Sequence, residues 1–216
     1  YSDAAIGSAR LLGFDLGLNF RAPYRAHSPR DLWRRWHISL STWLRDYLYV
    51  PLGGNRRGPT RTQVHLALTM LLGGLWHGAS WMFVLWGGYH GLLLAIDRRL
   101  PEPRSGAAVE LWGRRLVTFL LVCLGWVFFR SESPDEAWAV LGSLFEARGS
   151  VPLSGAALLA LTLGVLAHLP SRAAKDAVAA RFAGWPAPIQ GIAFALLVGL
   201  FLNAASLRVP FIYFQF

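Results

Sequence analysis

The sequence predicts an all-α fold: a polytopic membrane helical bundle with short or re-entrant helices and about five apolar segments. Three observations predict it, namely composition, the length of the apolar runs and the alternation of loop charge. Hydrophobic residues are 54% of the 216-residue chain and charged residues only 15%. Mean hydropathy is +0.38, whereas a soluble domain carries about 25% charge. The net charge of +9 and ten Trp suit basic cytoplasmic loops and interfacial aromatics. A nucleic-acid-binding domain shares the basicity but not the apolar runs, so the lipid bilayer is the expected partner and nucleic acid is not. The single cysteine, Cys123, lies in an apolar run, which excludes an internal disulfide and gives no hint of a Cys-based metal site. The opening Tyr-Ser-Asp-Ala has neither an initiator Met nor a cleavable signal, so the chain reads as the C-terminal portion of a longer protein.

Crossing about 30 Å of hydrocarbon takes roughly 17 to 25 residues. The candidates are Gln63 to Trp76 and Trp81 to Ile96, separated only by His77-Gly-Ala-Ser80, then 116–129, 153–169 and 188–204. Several are short, so tilting, re-entrant geometry or local thinning is expected.

Loop charge supplies an orientation. Residues 21–61 hold nine Arg against Asp31 and Asp46; residues 98–115 hold five Arg against two Glu; residues 172–181 hold three basic residues against Asp176. The loop 130–148 instead carries Glu132, Asp135, Glu136 and Glu146 against two Arg. With basic loops in the cytoplasm, the hairpin 63–96 goes out and returns, 116–129 exits, 153–169 returns and 188–204 exits. The closing PFIYFQF then ends at the outer face. A hairpin arm of roughly 14 residues at about 1.5 Å each brings His77 some 21 Å in, within membrane depth.

Upstream, Ser28 followed by Pro29 and Asp31 is a helix-start signature, and Val50-Pro51 with Gly53-Gly54 ends that helix. Between them Trp33, Trp36, Leu40, Trp43, Leu44, Tyr47 and Leu48 recur at helical spacing. One amphipathic helix over 28–50, intramembrane or interfacial, is therefore predicted. At 100° per residue His37 falls on its apolar side with Trp33, Leu40 and Leu44.

His77 and His37 are the candidate catalytic residues. A histidine on an apolar face of a soluble protein is usually a core residue with one hydrogen bond, but an ionisable side chain at membrane depth is costly and marks a functional site. Desolvation favours neutral imidazole, which can serve as a general base near neutral pH. Gly73, Gly74 and Gly78 let other backbone or a thin acyl chain approach His77. His90, 13 residues on and turned roughly 220° from His77, reads as a hydrogen-bonding interhelical residue. His27, His65 and His168 read as interfacial. Neither H-E-x-x-H nor a convergent carboxylate set is present, so no metal is expected. Gly53-Gly-Asn-Arg-Arg-Gly58 lacks the ending of a P-loop and reads as a basic turn at the lipid surface. Residues 134–147, PDEAWAVLGSLFEA, read as a capped amphipathic helix on the outer side.

The blocks WRRWHISLSTWLRDYLYVPLGGNRRG (33–58) and GLWHGASWMFVLWGGYHG (74–91), with YSDAAIG (1–7) and FIYFQF (211–216), resemble the membrane-bound O-acyltransferase family in its bacterial alginate O-acetyltransferase branch. Residues 100–205 match mainly as a pattern of apolar spans. The teichoic-acid D-alanylation branch shares the WRRWH-like block, while PLGGNRRG and FIYFQF favour acetylation. The resemblance implies several further spans before this stretch, a helical membrane bundle around a funnel or tunnel, and the family's invariant His at His77, with the second His of this branch at His37. It implies a bacterial inner-membrane enzyme that passes an acetyl group from a cytoplasmic donor, acetyl-CoA or another acyl donor, for O-acetylation of an exported polysaccharide, with no bound cofactor. Periplasmic acetyl-acceptor or polysaccharide-modifying proteins are the implied partners. An acetyl-His77 intermediate is a mechanistic variant, and His37 either orients His77 or holds a substrate. The competing class is a non-enzymatic transporter or scaffold of a polysaccharide export complex, in which the histidines relay protons or hold helices together. Residues 1–216 alone are expected to lack activity.

Overall fold

The computed structural model describes residues 2–101, 108–146, 154–168, 170 and 172–205. Every regular element among them is helical, and the chain divides into two units, Tyr1–Val151 and Pro152–Phe216.

In the first unit, α1 (Ser2–Leu11) buries no side chain and a 3-10 turn occupies Pro23–Arg25. α2 (Pro29–Trp33) starts as its sequence signature predicts: the Ser28 hydroxyl accepts from the Asp31 backbone N–H at 3.2 Å and Pro29 stands in the first turn. The single helix expected over 28–50 is not formed. It breaks at His37, whose backbone lies at φ 43°, ψ 56°, in the left-handed region. A new helix, α3 (Ile38–Leu44), then begins and passes into a π-helical turn over Arg45–Tyr49. The break is held from outside the segment by the Ile38 N–H donating to the Asn19 carbonyl at 2.9 Å and the Arg21 N–H to the Arg35 carbonyl at 2.8 Å, and from within it by the Ser41 hydroxyl donating to the Trp36 carbonyl at 3.1 Å. Apolar spacing cannot reveal such a break, because the side chains on either side of it are equally greasy.

The hairpin forms as predicted from α4 (Pro59–Trp76) and α5 (Trp81–Asp97). α4 begins four residues before the predicted Gln63, and its 18 residues span about 27 Å at roughly 1.5 Å each. Glycine lets the two helices touch along their backbones: a Cβ at Gly74 would collide with the Phe83 carbonyl, and one at Gly87 with the Met70 carbonyl. α6 (Ala108–Arg130) packs against α5, and the Tyr89 hydroxyl donates to the Leu121 carbonyl at 2.8 Å. α7 (Pro134–Ser143) is capped by Ser133, which accepts from the Glu136 N–H at 3.2 Å, while the Glu136 carboxylate reaches back to the Glu132 N–H at 2.7 Å.

The second unit holds α8 (Gly155–His168), α9 (Arg172–Ala183) and α10 (Ala187–Ala205). Each of the five apolar segments thus contributes a helix. Among the described residues, however, only α6 is by itself long and apolar enough to cross a membrane, and α9 with α10 passes that test only as a pair bent by 120°. The stretch 211–216 used in the resemblance lies outside the described residues.

Candidate active site at the hairpin turn

His77 ends α4. Its backbone N–H donates to the Gly74 carbonyl at 2.9 Å, and Gly78 turns the chain toward Ser80, whose hydroxyl caps α5 by accepting from the Met82 N–H at 3.2 Å. The imidazole is half-buried in an aromatic cage, with ring centroids 5.1 Å away at Trp76, 5.3 Å at Trp86, 5.1 Å at Phe129 and 6.1 Å at Phe83. Phe129 comes from α6 and packs in turn on Trp126, 5.4 Å away. Among the described residues no carboxylate pairs with His77, so the ring is oriented by packing.

His37 belongs to the same cluster. Its ring stands perpendicular to Trp76 at 6.1 Å and lies 6.0 Å from Phe20. Trp76 therefore touches both candidate histidines. The helical-face argument that selected His37 fails, since the helix is broken there; the break is what brings the imidazole to Trp76. A non-glycine residue held left-handed is strained by about 1 kcal/mol or more, and the His37 Nδ1 is buried with no hydrogen-bond partner.

His90 departs from its predicted role. Its side chain is 3% exposed and its Nδ1 has no hydrogen-bond partner. It packs instead by ring contacts, 4.8 Å from Trp86, 5.2 Å from Trp33 and 5.4 Å from Tyr89. Gly125 of α6 makes room for it, since a Cβ there would come within 3.0 Å of the His90 Nε2. The wheel angle between His77 and His90 carried no information, because residues 77–80 are not helical. A single tryptophan, Trp86, touches both rings.

Two further histidines are held by local contacts. His27 pairs with Asp31 at 3.0 Å, and the His65 Nδ1 meets the Gly54 carbonyl at 3.0 Å. The His168 side chain lies outside the described part of the chain. Of the glycines before His77, Gly74 lets the Phe83 backbone approach and Gly73 makes room for the Leu44 side chain. Among the described residues no three His, Cys, Asp or Glu side chains converge as metal ligands. Sequence reasoning missed Trp86, Phe83 and Phe129 as cage members, and Trp33 beside His90. The spacing of Trp86 and His90 by four residues on one helix was a usable signal, whereas nothing local marks Phe129. A separate cavity of about 280 Å³ lies between the start of α2, the end of α5 and the first half of α6, with Ser28, Asp97 and Thr118 among its lining.

Residues 1–100, which carry all the cage members except Phe129, match the model of the membrane-bound O-acyltransferase family. A probable alginate O-acetylase of Azotobacter vinelandii is 52% identical over 145 residues, 67% of this chain and 29% of that protein. A peptidoglycan O-acetyltransferase of Helicobacter pylori is 40% identical over 167 residues, 75% of this chain and 30% of that protein. A teichoic acid D-alanyltransferase of Streptococcus thermophilus is 32% identical over 162 residues, 64% of this chain and 38% of that protein. The chain thus spans about a third of the length of the relatives it matches.

Proposed function

Because this chain belongs to the membrane-bound O-acyltransferase family, we propose that its protein O-acetylates an exported polysaccharide, such as alginate, in the bacterial inner membrane. The acetyl group comes from a cytoplasmic acyl donor, acetyl-CoA or another thioester, and no resident cofactor takes part. His77 is the catalytic base and His37 its partner in the site. The single observation that supports this reading best is that the two imidazoles share one neighbour, Trp76, one of them on a strained backbone.

The chemistry follows from the residues. An alcohol is a poor nucleophile until its proton is removed. The neutral His77 imidazole accepts that proton as the alcohol oxygen attacks the acyl carbonyl. The tetrahedral intermediate then expels the donor's thiolate, which takes the proton from the imidazolium, leaving an ester, a thiol and neutral His77. The aromatic cage keeps water from competing for the acyl group. In this reading all five apolar segments lie at membrane depth in a multi-pass bundle completed by the rest of the protein, and periplasmic acetyl-acceptor or polysaccharide-modifying proteins receive the product. The higher identity to the O-acetylating relatives than to the D-alanyltransferase favours acetyl as the group moved.

The test is the O-acetyl content of the exported polysaccharide in cells carrying the full-length protein, wild type against His77→Ala, with membrane abundance measured in parallel. Loss of acetylation at unchanged abundance is expected. Normal acetylation, or loss that merely tracks abundance, favours the transporter or scaffold alternative.

A further inference from the structure

α2 has five residues, too few to persist as a helix unless tertiary contacts hold it. Yet it delivers Trp33 to the back of the cage, against Trp86 and His90, and His37 follows four residues on. Two contacts fix it on α5. At its C-terminal end Trp33 wedges against Trp86 and His90, 5.8 and 5.2 Å away. At its N-terminal end Arg30 grips Asp97, the last residue of α5: the guanidinium Nε donates to the Asp97 Oδ2 at 2.8 Å, the Arg30 backbone N–H donates to the same oxygen at 3.1 Å, and a terminal guanidinium nitrogen donates to the Asp97 carbonyl at 3.2 Å. The Asp97 side chain is only 5% exposed. A second pair, Arg35 Nε to Asp31 Oδ1 at 2.7 Å, ties α2 to the residue two positions past its end and makes no link to α5.

Resting on the reading of His77 and His37 as the acyl-transfer site, we propose that Arg30 and Asp97 are positioning residues: their pair, enclosed on the Asp97 side, registers α2 on α5 and thereby sets His37 against Trp76 and His77. An ion pair that is only partly enclosed adds little net stability, but several hydrogen bonds to one carboxylate residue tolerate few geometries. Three donors converging on one residue across 67 positions of sequence are therefore better matched to registration than to stability. Neither residue touches the substrate; both act through the placement of α2.

The experiment measures the rate of O-acetyl incorporation per molecule of folded full-length protein in cells, together with the thermal midpoint of the purified protein. The variants are Arg30→Ala, Asp97→Ala, the double Arg30→Ala/Asp97→Ala and the conservative Arg30→Lys. Arg114→Ala, which breaks the similarly part-buried pair of Arg114 with Glu110 within α6, serves as the matched control, and His77→Ala reports on the site itself. Each single alanine variant is expected to lower turnover per molecule at least tenfold, the double no further than the worse single, with partial recovery in Arg30→Lys and none of this in Arg114→Ala. If the clamp variants lose only yield or thermal midpoint, and each folded molecule turns over as the wild type does, the positioning role is overturned. If His77→Ala acetylates like the wild type, it is the acyl-transfer reading that has failed; a dead His77→Ala beside fully active clamp variants sinks the positioning role alone.

Discussion

At the scale of single residues, His37 carries two separable properties, an imidazole and a left-handed backbone. Sequence reasoning reached the imidazole and not the backbone, because helical spacing runs unbroken through 28–50 and a positive φ on a non-glycine residue leaves no trace in composition. The two properties predict different things. His37→Ala removes the ring but keeps a Cβ in the strained region, whereas His37→Gly removes both ring and strain. Both variants are expected to lose acetylation. His37→Gly, however, should be more stable than His37→Ala by about 1 kcal/mol, the left-handed penalty relieved, measured as the difference in denaturation of the purified full-length protein. Equal stabilities would mean that the backbone at this position relaxes once the ring is gone, and the strain would then belong to the ring's packing.

At the scale of elements, the hairpin and the two caps were legible in the sequence for a local reason. Ser-Pro at 28–29, Ser133 three residues before Glu136, and Ser80 before the α5 run each bring their hydrogen-bond partner within four residues. What was not legible is what depends on a neighbour: the break at His37 held by Asn19, the grip of Arg30 on Asp97, and Phe129 arriving on His77 from α6. Glycine shows the same division. Gly74 and Gly113 look alike in sequence, yet a Cβ at Gly74 meets the Phe83 carbonyl while nothing lies within 4 Å of one at Gly113. Gly74→Ala should therefore force α4 and α5 apart and cost about 1–3 kcal/mol or more, with activity falling because His77 ends α4. Gly113→Ala should be neutral or stabilise by up to about 1 kcal/mol from helix propensity. Thermal melting of the two variants side by side checks the contrast. Ser133→Ala, which removes the α7 cap, should cost about 1 kcal/mol and leave acetylation unchanged, since α7 contributes no ring to the cage.

At the scale of the whole molecule, the apolar exterior and the charge of the loops have to agree on one orientation. Large side chains such as Leu116, Val117, Leu120 and Trp112 are more than half exposed on α6, a helix by itself long and apolar enough to cross a membrane. A surface of that kind is stable in contact with lipid and not with water. α6 leads from the Arg-rich stretch 98–115 to the acidic stretch 130–148, so the positive-inside bias places its first end in the cytoplasm and its last end outside. That argument makes one prediction that neither homology nor the acyl-transfer reading is needed to test. In a full-length protein carrying Cys123→Ala, a cysteine at Asp135, exposed on α7, should react with a membrane-impermeant maleimide in intact cells. A cysteine at Arg98, exposed just past the end of α5, should react only after permeabilisation. The reverse pattern would invert the membrane, placing the Arg-rich end of α6 outside and the α4–α5 turn with His77 toward the donor side. Labelling of both cysteines in intact cells would mean that α6 does not cross, and the exposed apolar face would then have to be covered by protein instead of lipid.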